Sequence, residues 1–313
     1  MNPGEILKYK GKGRTGLANI GNTCYINSCL QCLSHTHELN KILDDPNYKA
    51  LLNNNSDSAL LVEWDNLRNM MWSRNCVVAP HGFVNAIHKN AETKKMSLFI
   101  DFEQNDMQEF LIFLMESFHK GISKEGEIKT ICHKNNDNDI ISSACYKMLS
   151  SMYEKDYSDI IKLFYGIHAS VIISLEKSEI LSVCSEPFFV LSLPLPHTNN
   201  NKSTIYECFD EYCKKDRLDG DNSWFNEKTS KKQSVDKGIL FWSFPEILIV
   251  HLKRWTYTGN KDMRLVTIPL ENMDLTKYLH CEDNSVIYDL YGVCNHYGRV
   301  SGGHYTSNVK TME

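Results

Sequence analysis

The sequence predicts an α+β fold. Helical periodicity dominates the first half, runs rich in β-branched and aromatic residues dominate the second, and no internal repeat links the two. Helices first and sheet later is the pattern of segregated rather than alternating elements.

Residues 1–13, MNPGEILKYKGKG, are basic and glycine-containing and read as a loose leader. A helix starts at Asn22 or Thr23, both good cap residues, and carries Ile26, Leu30 and Leu33 at helical spacing. NNNSDS (53–58) reads as a loop, and ALLVEWDNLRNMMW after it is again helical. QNDMQEFLIFLMESFH is the clearest helix, with Met107, Phe110, Leu111, Leu114, Met115 and Phe118 on one apolar face. HKNNDNDIISS (133–143) reads as a polar loop, and YEKDYSDIIKLFYG as a short helix leading into a strand. ASVIISLE, EPFFVLSLPLP, EILIVHLKRW, VIYDLYGVCNHYG and GGHYTSNVK follow as β-rich runs, with HTNNNKS and RLDGDNS as turns or loops between strands.

The 313 residues accommodate two domains or one large one, and the 42% hydrophobic content supplies a sizeable core. A net charge of −5 without any basic block argues against nucleic acid as a partner. No run of about 18 apolar residues predicts a membrane span, and the N-terminus lacks the apolar stretch of a signal peptide. Eleven scattered cysteines fit a reducing compartment with thiols that are buried or reactive. The expectation is a soluble intracellular protein, cytoplasmic or nuclear, and a monomer.

GLANIGNTCYINSCLQCLSH (16–35) places Cys24 at a helix start. There, backbone N–H groups point at the sulfur and favour a thiolate. Asn19 reaches back with its side-chain amide, the Cys24 N–H is a second donor for an oxyanion, and Gly21 allows the tight turn between them. A base must come from elsewhere, and NHYGRVSGGHYTSN offers His296 and His304. Gly302 and Gly303 let backbone come close to a thin substrate.

GLANIGNTCYINSCLQCL resembles the cysteine box of the ubiquitin-specific proteases, and YDLYGVCNHYGRVSGGHYTSNV resembles their histidine box. QNDMQEFL, EPFFVLSLPLP, LDGDNSWFNEK and FPEILIVHLKRW lie between in family order, so the resemblance covers roughly residues 14 to 309. It implies a papain-like cysteine protease with a helical thumb (14–160), an antiparallel β finger extension with connecting strands (161–243) and a β-rich palm (244–313). The active site is expected in the cleft between thumb and palm. The implied reaction is hydrolysis after the C-terminal glycine of ubiquitin. Carried over by position, Cys24 is the nucleophile, His304 the general base and Asn19 the oxyanion-hole side chain. Asp106 and Glu109 match acidic positions facing the basic tail of ubiquitin, Tyr305 lines the channel for its Gly-Gly end, and His296 matches a loop near that channel. Ubiquitin and ubiquitinated proteins are the implied partners.

Plainer readings stand beside these. Cys29, Cys32, His35 and His37 mimic a metal spacing, but on a helix the two cysteines share the face of Ile26 and Leu33 and read as small buried hydrophobes. Asp106 and Glu109 also form a capping pair, and His251 in VHLKRW reads as structural. Many relatives hold a structural zinc ion in the fingers with two CxxC pairs. Here SLEKS (174–178) has no cysteine, Asn226 and Thr229 stand where the second pair belongs, and Cys184, Cys208 and Cys213 do not restore the spacing. No metal and no cofactor are expected. The family's third catalytic residue, an Asp or Asn on a strand after the histidine box, has no match in YTSNVKTME after His304, and Asn308 comes too soon. Three alternatives stay open: an active deubiquitinase, a ubiquitin-binding pseudoprotease, and a protease for a ubiquitin-like modifier.

Overall fold

The computed structural model describes residues 7–126, 137–197, 201–281, 285–299 and 302–312. The helical region contains β1 (Gly16–Leu17), α1 (Cys24–Ser34), α2 (His37–Asp44), α3 (Ser56–Ser73), β2 (Val77–Val78), α4 (His81–Thr93) and α5 (Met107–Ile122). Then come α6 (Asp137–Lys155), α7 (Asp159–Phe164), β3 (Gly166–Ser174), β4 (Ile180–Phe188), β5 (Val190–Pro194), β6 (Lys202–Thr204) and α8 (Ile205–Cys213). The remainder is β7 (Asp216–Leu218), β8 (Trp224–Asn226), β9 (Lys231–Gln233), β10 (Val235–Ser243), β11 (Ile249–Lys253), β12 (Leu265–Thr267), β13 (Met273–Asp274), β14 (Ile287–Tyr288), β15 (Gly292–Arg299) and β16 (Gly302–Val309). The mixed α+β architecture agrees with the sequence.

Two compact units divide the chain. One comprises Met1–Lys124, Ser158–Leu163 and Leu290–Glu313; the other comprises Glu125–Tyr157 and Phe164–Asp289. These boundaries differ from the thumb, finger and palm ranges above. Strands β15 and β16 pair with each other as a two-stranded antiparallel hairpin, and that hairpin belongs to the helical unit, together with α1.

The helical unit is organised on α3. Leu60, Leu61, Trp64, Leu67 and Met71 are buried at helical spacing, and Trp64 meets Phe83 of α4 and Phe118 of α5 at ring-centre distances of 5.9 and 6.2 Å. Asp57 at the start of α3 accepts from Asn90 of α4 and pairs with Lys94, each at 2.8 Å. Lys94 also donates to Ser117 of α5 at 2.8 Å, so one buried carboxylate fastens three helices. A side chain at Gly121 would press on the α3 backbone at 3.2 Å, which is why α5 carries glycine at this close approach.

Several sequence expectations need correcting here. NNNSDS is loop only as far as Asn55, whose side chain caps α3 by accepting from the Ser58 N–H at 2.8 Å. Within α5, Phe113 is buried with Phe110, Leu114, Met115 and Phe118, whereas Met107 and Leu111 of the predicted stripe are only half-buried. The leader is not loose from residue 7 onward. Tyr9 is buried against His37 and Trp72, with ring centres 4.3 and 4.8 Å away.

In the second unit, β4, β3, β10 and β7 form a four-stranded antiparallel sheet. Helix α6 covers it through Ile141, Cys145 and Met148 against Ile167, Ala169 and Val171. That spacing is why the latter part of HKNNDNDIISS, expected as loop, is helix from Asp137; residues 133–136 lie outside the described residues. A second core gathers Leu191, Leu193, Phe209, Phe241 and Tyr278. Helix α8 begins with a reciprocal cap between Thr204 and Glu207. His251 is structural in position, 3.3 Å from Ser192 across the parallel β5–β11 pair. Asn226 accepts from the Lys228 and Thr229 N–H groups at 3.0 and 3.2 Å and closes the turn after β8.

His119 of α5 is buried, with Nδ1 2.7 Å from the Ser158 hydroxyl. Burial, helped by the neighbouring Lys120 charge, pushes its pKa down to about 4. A depressed histidine withholds its proton in the folded state, so its contribution to stability is full above about pH 6.5 and is lost as pH falls toward 4. The loss is on the order of 3 kcal/mol for a group this buried. Urea melts should therefore show stability dropping between pH 6.5 and 4, and His119→Gln should flatten that drop.

Candidate active site

Cys24 is the first residue of α1, and the loop before it is built to present it. Gly21 (φ +130°) and Asn22 (φ +51°) both occupy the left-handed half of backbone space, and a Cβ at Gly21 would lie 3.0 Å from the Phe102 ring. Thr23 precedes the helix, yet its hydroxyl does not cap it. It accepts instead from the Ile20 N–H at 3.2 Å. The positive end of α1 is thus left without a side-chain cap beside the thiol.

Asn19 lies at the surface of this loop. Its Oδ1 accepts from the Gly21 and Thr23 N–H groups at 3.2 and 3.0 Å and from the Thr23 hydroxyl at 3.1 Å. Backbone N–H groups are donors only, so these bonds fix which end of the amide is oxygen and turn the Nδ2 donor end the other way. Two polar residues one helical turn apart hold the loop to α1. Asn27 donates to the Leu17 and Ala18 carbonyls at 3.3 and 3.1 Å, and Gln31 donates to Thr15 at 2.8 Å.

His304 lies on β16, which packs against α1, and its ring is exposed. Register pairs it with Tyr297, and pairs its neighbour Tyr305 with His296. The Tyr305 and His296 rings stand 4.6 Å apart. Tyr305's hydroxyl lies 3.5 Å from the Met107 N–H and near the Asp106 carboxylate. Burial, with the charges of Asp106 and Cys24 nearby, pushes its pKa up to about 12, so it stays a neutral donor. Cys24, Asn19, His304, Tyr305, His296, Asp106 and Glu109 all fall in one compact unit.

Asp106 is the N-cap of α5, accepting from the Gln108 and Glu109 N–H groups at 2.8 and 3.1 Å. Both Asp106 and Glu109 remain exposed. Asn308 lies on the same strand as His304, four residues on or about 13 Å along it, and its side-chain oxygen accepts from Asn295 at 3.1 Å. Sequence reasoning missed two residues that brace the site. Gln104 accepts from the Gly303 N–H at 3.0 Å, and Asn105 lies 3.4 Å from the Tyr25 hydroxyl. Gln104 and Asn105 opened the quoted QNDMQEFL, but a polar pair before a helix carries no periodicity to distinguish it.

The expected metal mimic is packed otherwise. Cys29 is buried, His35 Nδ1 is 2.9 Å from the Gln31 carbonyl, and the His35 and His37 rings pack on Trp72. Among the described residues, no group of three or more His, Cys, Asp or Glu is placed to hold a metal ion, and no helix is long and apolar enough to cross a membrane.

The fold thus brings a thiol at a helix N-terminus, an amide on the preceding loop and an imidazole on a hairpin packed against that helix into one unit. The model of the ubiquitin carboxyl-terminal hydrolase family matches residues 15–313, and the chain belongs to that family. Human ubiquitin carboxyl-terminal hydrolase 2 is 32% identical over 307 residues, covering 96% of this chain and 50% of that protein. The Drosophila melanogaster hydrolase Usp2 is 31% identical over 305 residues, 96% of this chain and 31% of that protein. The chain therefore spans half or less of these curated relatives. The Gallus gallus hydrolase 2 is 34% identical over 314 residues and is covered to 84%, against 96% of this chain. In fold, the chain resembles the SAGA DUB module of Ubp8, Sgf11, Sus1 and Sgf73 bound to monoubiquitin, with a TM-score of 0.72 at 21% identity, over 96% of this chain and 62% of the other.

A Cβ at Gly303 would run into the His296 ring and the Tyr297 carbonyl across the hairpin. The carbonyl is backbone and cannot swing aside. Gly303→Ala is expected to cost about 1–3 kcal/mol and to shift the His296 and Tyr305 ring resonances, measured by thermal melting and NMR.

Proposed function

We propose that this chain is a thiol-dependent deubiquitinase, hydrolysing isopeptide or peptide bonds after the C-terminal glycine of ubiquitin. The observation that carries the reading is Cys24 at the uncapped start of α1, with the oriented amide of Asn19 behind it and the His304 hairpin packed alongside. His304 takes the Cys24 proton, and the sulfur attacks the glycine carbonyl. The Asn19 Nδ2 and the Cys24 N–H stabilise the resulting oxyanion. The intermediate collapses to a thioester as the imidazolium protonates the departing amine. His304 then deprotonates water, which hydrolyses the thioester and returns the thiol.

The placement of the other residues supports the same substrate. Cys24 is only 8% exposed, so a narrow, side-chain-free tail suits it better than an ordinary peptide. Asp106 and Glu109 are exposed carboxylates on the α5 start and offer charged partners to arginines upstream on such a tail. Tyr305, whose hydroxyl meets the Met107 N–H, and His296 beside it line the approach in this reading. An intracellular setting fits the ten described cysteines, none of which is in a disulfide.

A ubiquitin bearing a thiol-reactive group at its C-terminus should form an adduct at Cys24, and a fluorogenic ubiquitin should be turned over. Cys24→Ser should lose turnover by at least about a thousandfold. Binding of ubiquitin without adduct or turnover would replace this reading with the pseudoprotease; adduct formation only with a ubiquitin-like protein would replace the substrate.

Asn19→Asp separates structure from chemistry, because it keeps the acceptor for Gly21 and Thr23 but loses the donor. The expected result is an unchanged melting temperature with kcat down about 10²–10³-fold and KM little altered. Full activity in this variant would remove Asn19 from the oxyanion hole.

A further inference from the structure

Two cysteines that the proposed reaction does not use meet where α1 crosses β15. Cys32 Sγ lies 3.5 Å from Cys294 Sγ. The approach is set by the surrounding chain. Tyr291 hydrogen-bonds Thr36 at 2.7 Å, pinning the start of the hairpin to the end of the helix. Gly292 lies against Cys32, whose sulfur would be 3.0 Å from any Cβ there, so the missing side chain makes room for the thiol. Cys294 Sγ is also 3.5 Å from the Ser28 carbonyl, one turn back along the helix. Both cysteines are partly exposed, whereas Cys24 and Cys29 are 8% and 4% exposed.

We propose that Cys32 and Cys294 are an oxidation site that closes to a reversible disulfide in response to peroxide, fastening the Cys24 helix to the His304 hairpin. The Cys294 thiolate attacks hydrogen peroxide, breaking its O–O bond to give a sulfenic acid and hydroxide. The Cys32 sulfur then displaces the sulfenic hydroxyl, and the two sulfurs join. Two thiols lose two protons and two electrons, and one peroxide becomes two waters. The sulfurs need to close by about 1.5 Å to reach bonding distance, a movement within reach of side-chain rotation. The hydrogen bond from Cys32 favours the Cys294 thiolate, while the same contact and burial hold Cys32 protonated, so Cys294 attacks and Cys32 resolves.

The link sits two helical turns beyond Cys24, and Cys294 pairs with Ser307, three residues past His304. It therefore fixes the helix-to-hairpin spacing without consuming either chemical group. Where glutathione keeps thiols reduced, the pair rests as the dithiol and closes only transiently.

The test is independent of hydrolase activity. The reduced full chain is exposed to a few equivalents of hydrogen peroxide, quenched with catalase and N-ethylmaleimide, and digested without reduction. The expected result is a Cys32–Cys294 linked peptide, lighter by two hydrogens and reversed by dithiothreitol, with a melting temperature raised by at least about 4 °C. Cys294→Ser and Cys32→Ala should each abolish both the link and the rise; either variant alone suffices if the other does not fold. Alkylation of both thiols while Cys24 is oxidised, a Cys29–Cys294 link in their place, or equal linking of the urea-unfolded chain would overturn the proposal.

Discussion

The segment from Gln104 to Met107 is the constraint on which the site depends. It joins two elements that sequence places far apart. Toward α1, Asn105 meets the Tyr25 hydroxyl, one residue from Cys24. Toward the hairpin, Gln104 holds the Gly303 N–H, one residue from His304, and the Met107 N–H meets the Tyr305 hydroxyl on its other side. The segment ends in the N-cap of α5, the helix that closes the core with Trp64 and Phe118. Core packing is thereby linked to the surroundings of the thiol and the imidazole through a few hydrogen bonds of 3.0 to 3.5 Å.

Helix α1 serves the same end by a different device. An amphipathic helix needs one apolar stripe for the core, and Ile26, Leu30 and Leu33 supply it. Asn27 and Gln31 are spent on tying down the strand and loop that carry Asn19. Small cysteines at 29 and 32 let the hairpin come close, and Gly292 completes the fit. One short helix thus positions Cys24, Asn19 and the strand of His304. This economy explains why three cysteines crowd within nine residues without any metal arrangement.

Much of this was legible in the sequence, and the limits were physical. The helices with strong apolar periodicity and the β-rich runs stood out because burial imposes a period. The boundaries that failed were those where polar residues begin helices: Ser56 to Ser58 and Asp137 onward look like loop by composition but are helix by tertiary contact. The candidate site residues stood out in the sequence because their types are rare in that pattern, as with the Gly-Asn-Thr-Cys turn and the paired glycines before His304. Gln104, Asn105, Tyr9 and the Cys32–Cys294 contact were not legible. Each acts through a partner between 28 and 262 residues away, and nothing local records such pairing. The grouping of the hairpin with the helices escaped for the same reason. A two-stranded ribbon does not announce in its sequence which surface will bury it.

The distribution of exposure within the site follows from what each group has to do on the proposed reading. Asn19, His304, Asp106 and Glu109 are open to solvent, while Cys24 is nearly covered. A nucleophile that is hard to reach gains little from tight binding near the sulfur, since few substrate atoms fit there. Affinity must then come from surface remote from the bond, and the reacting end must be slender enough to thread inward. A folded protein with a flexible glycine-ended tail meets both requirements, because the globular part supplies binding energy and the tail supplies reach. A short free peptide lacks the remote binding surface, so on this reading it is the poorer substrate.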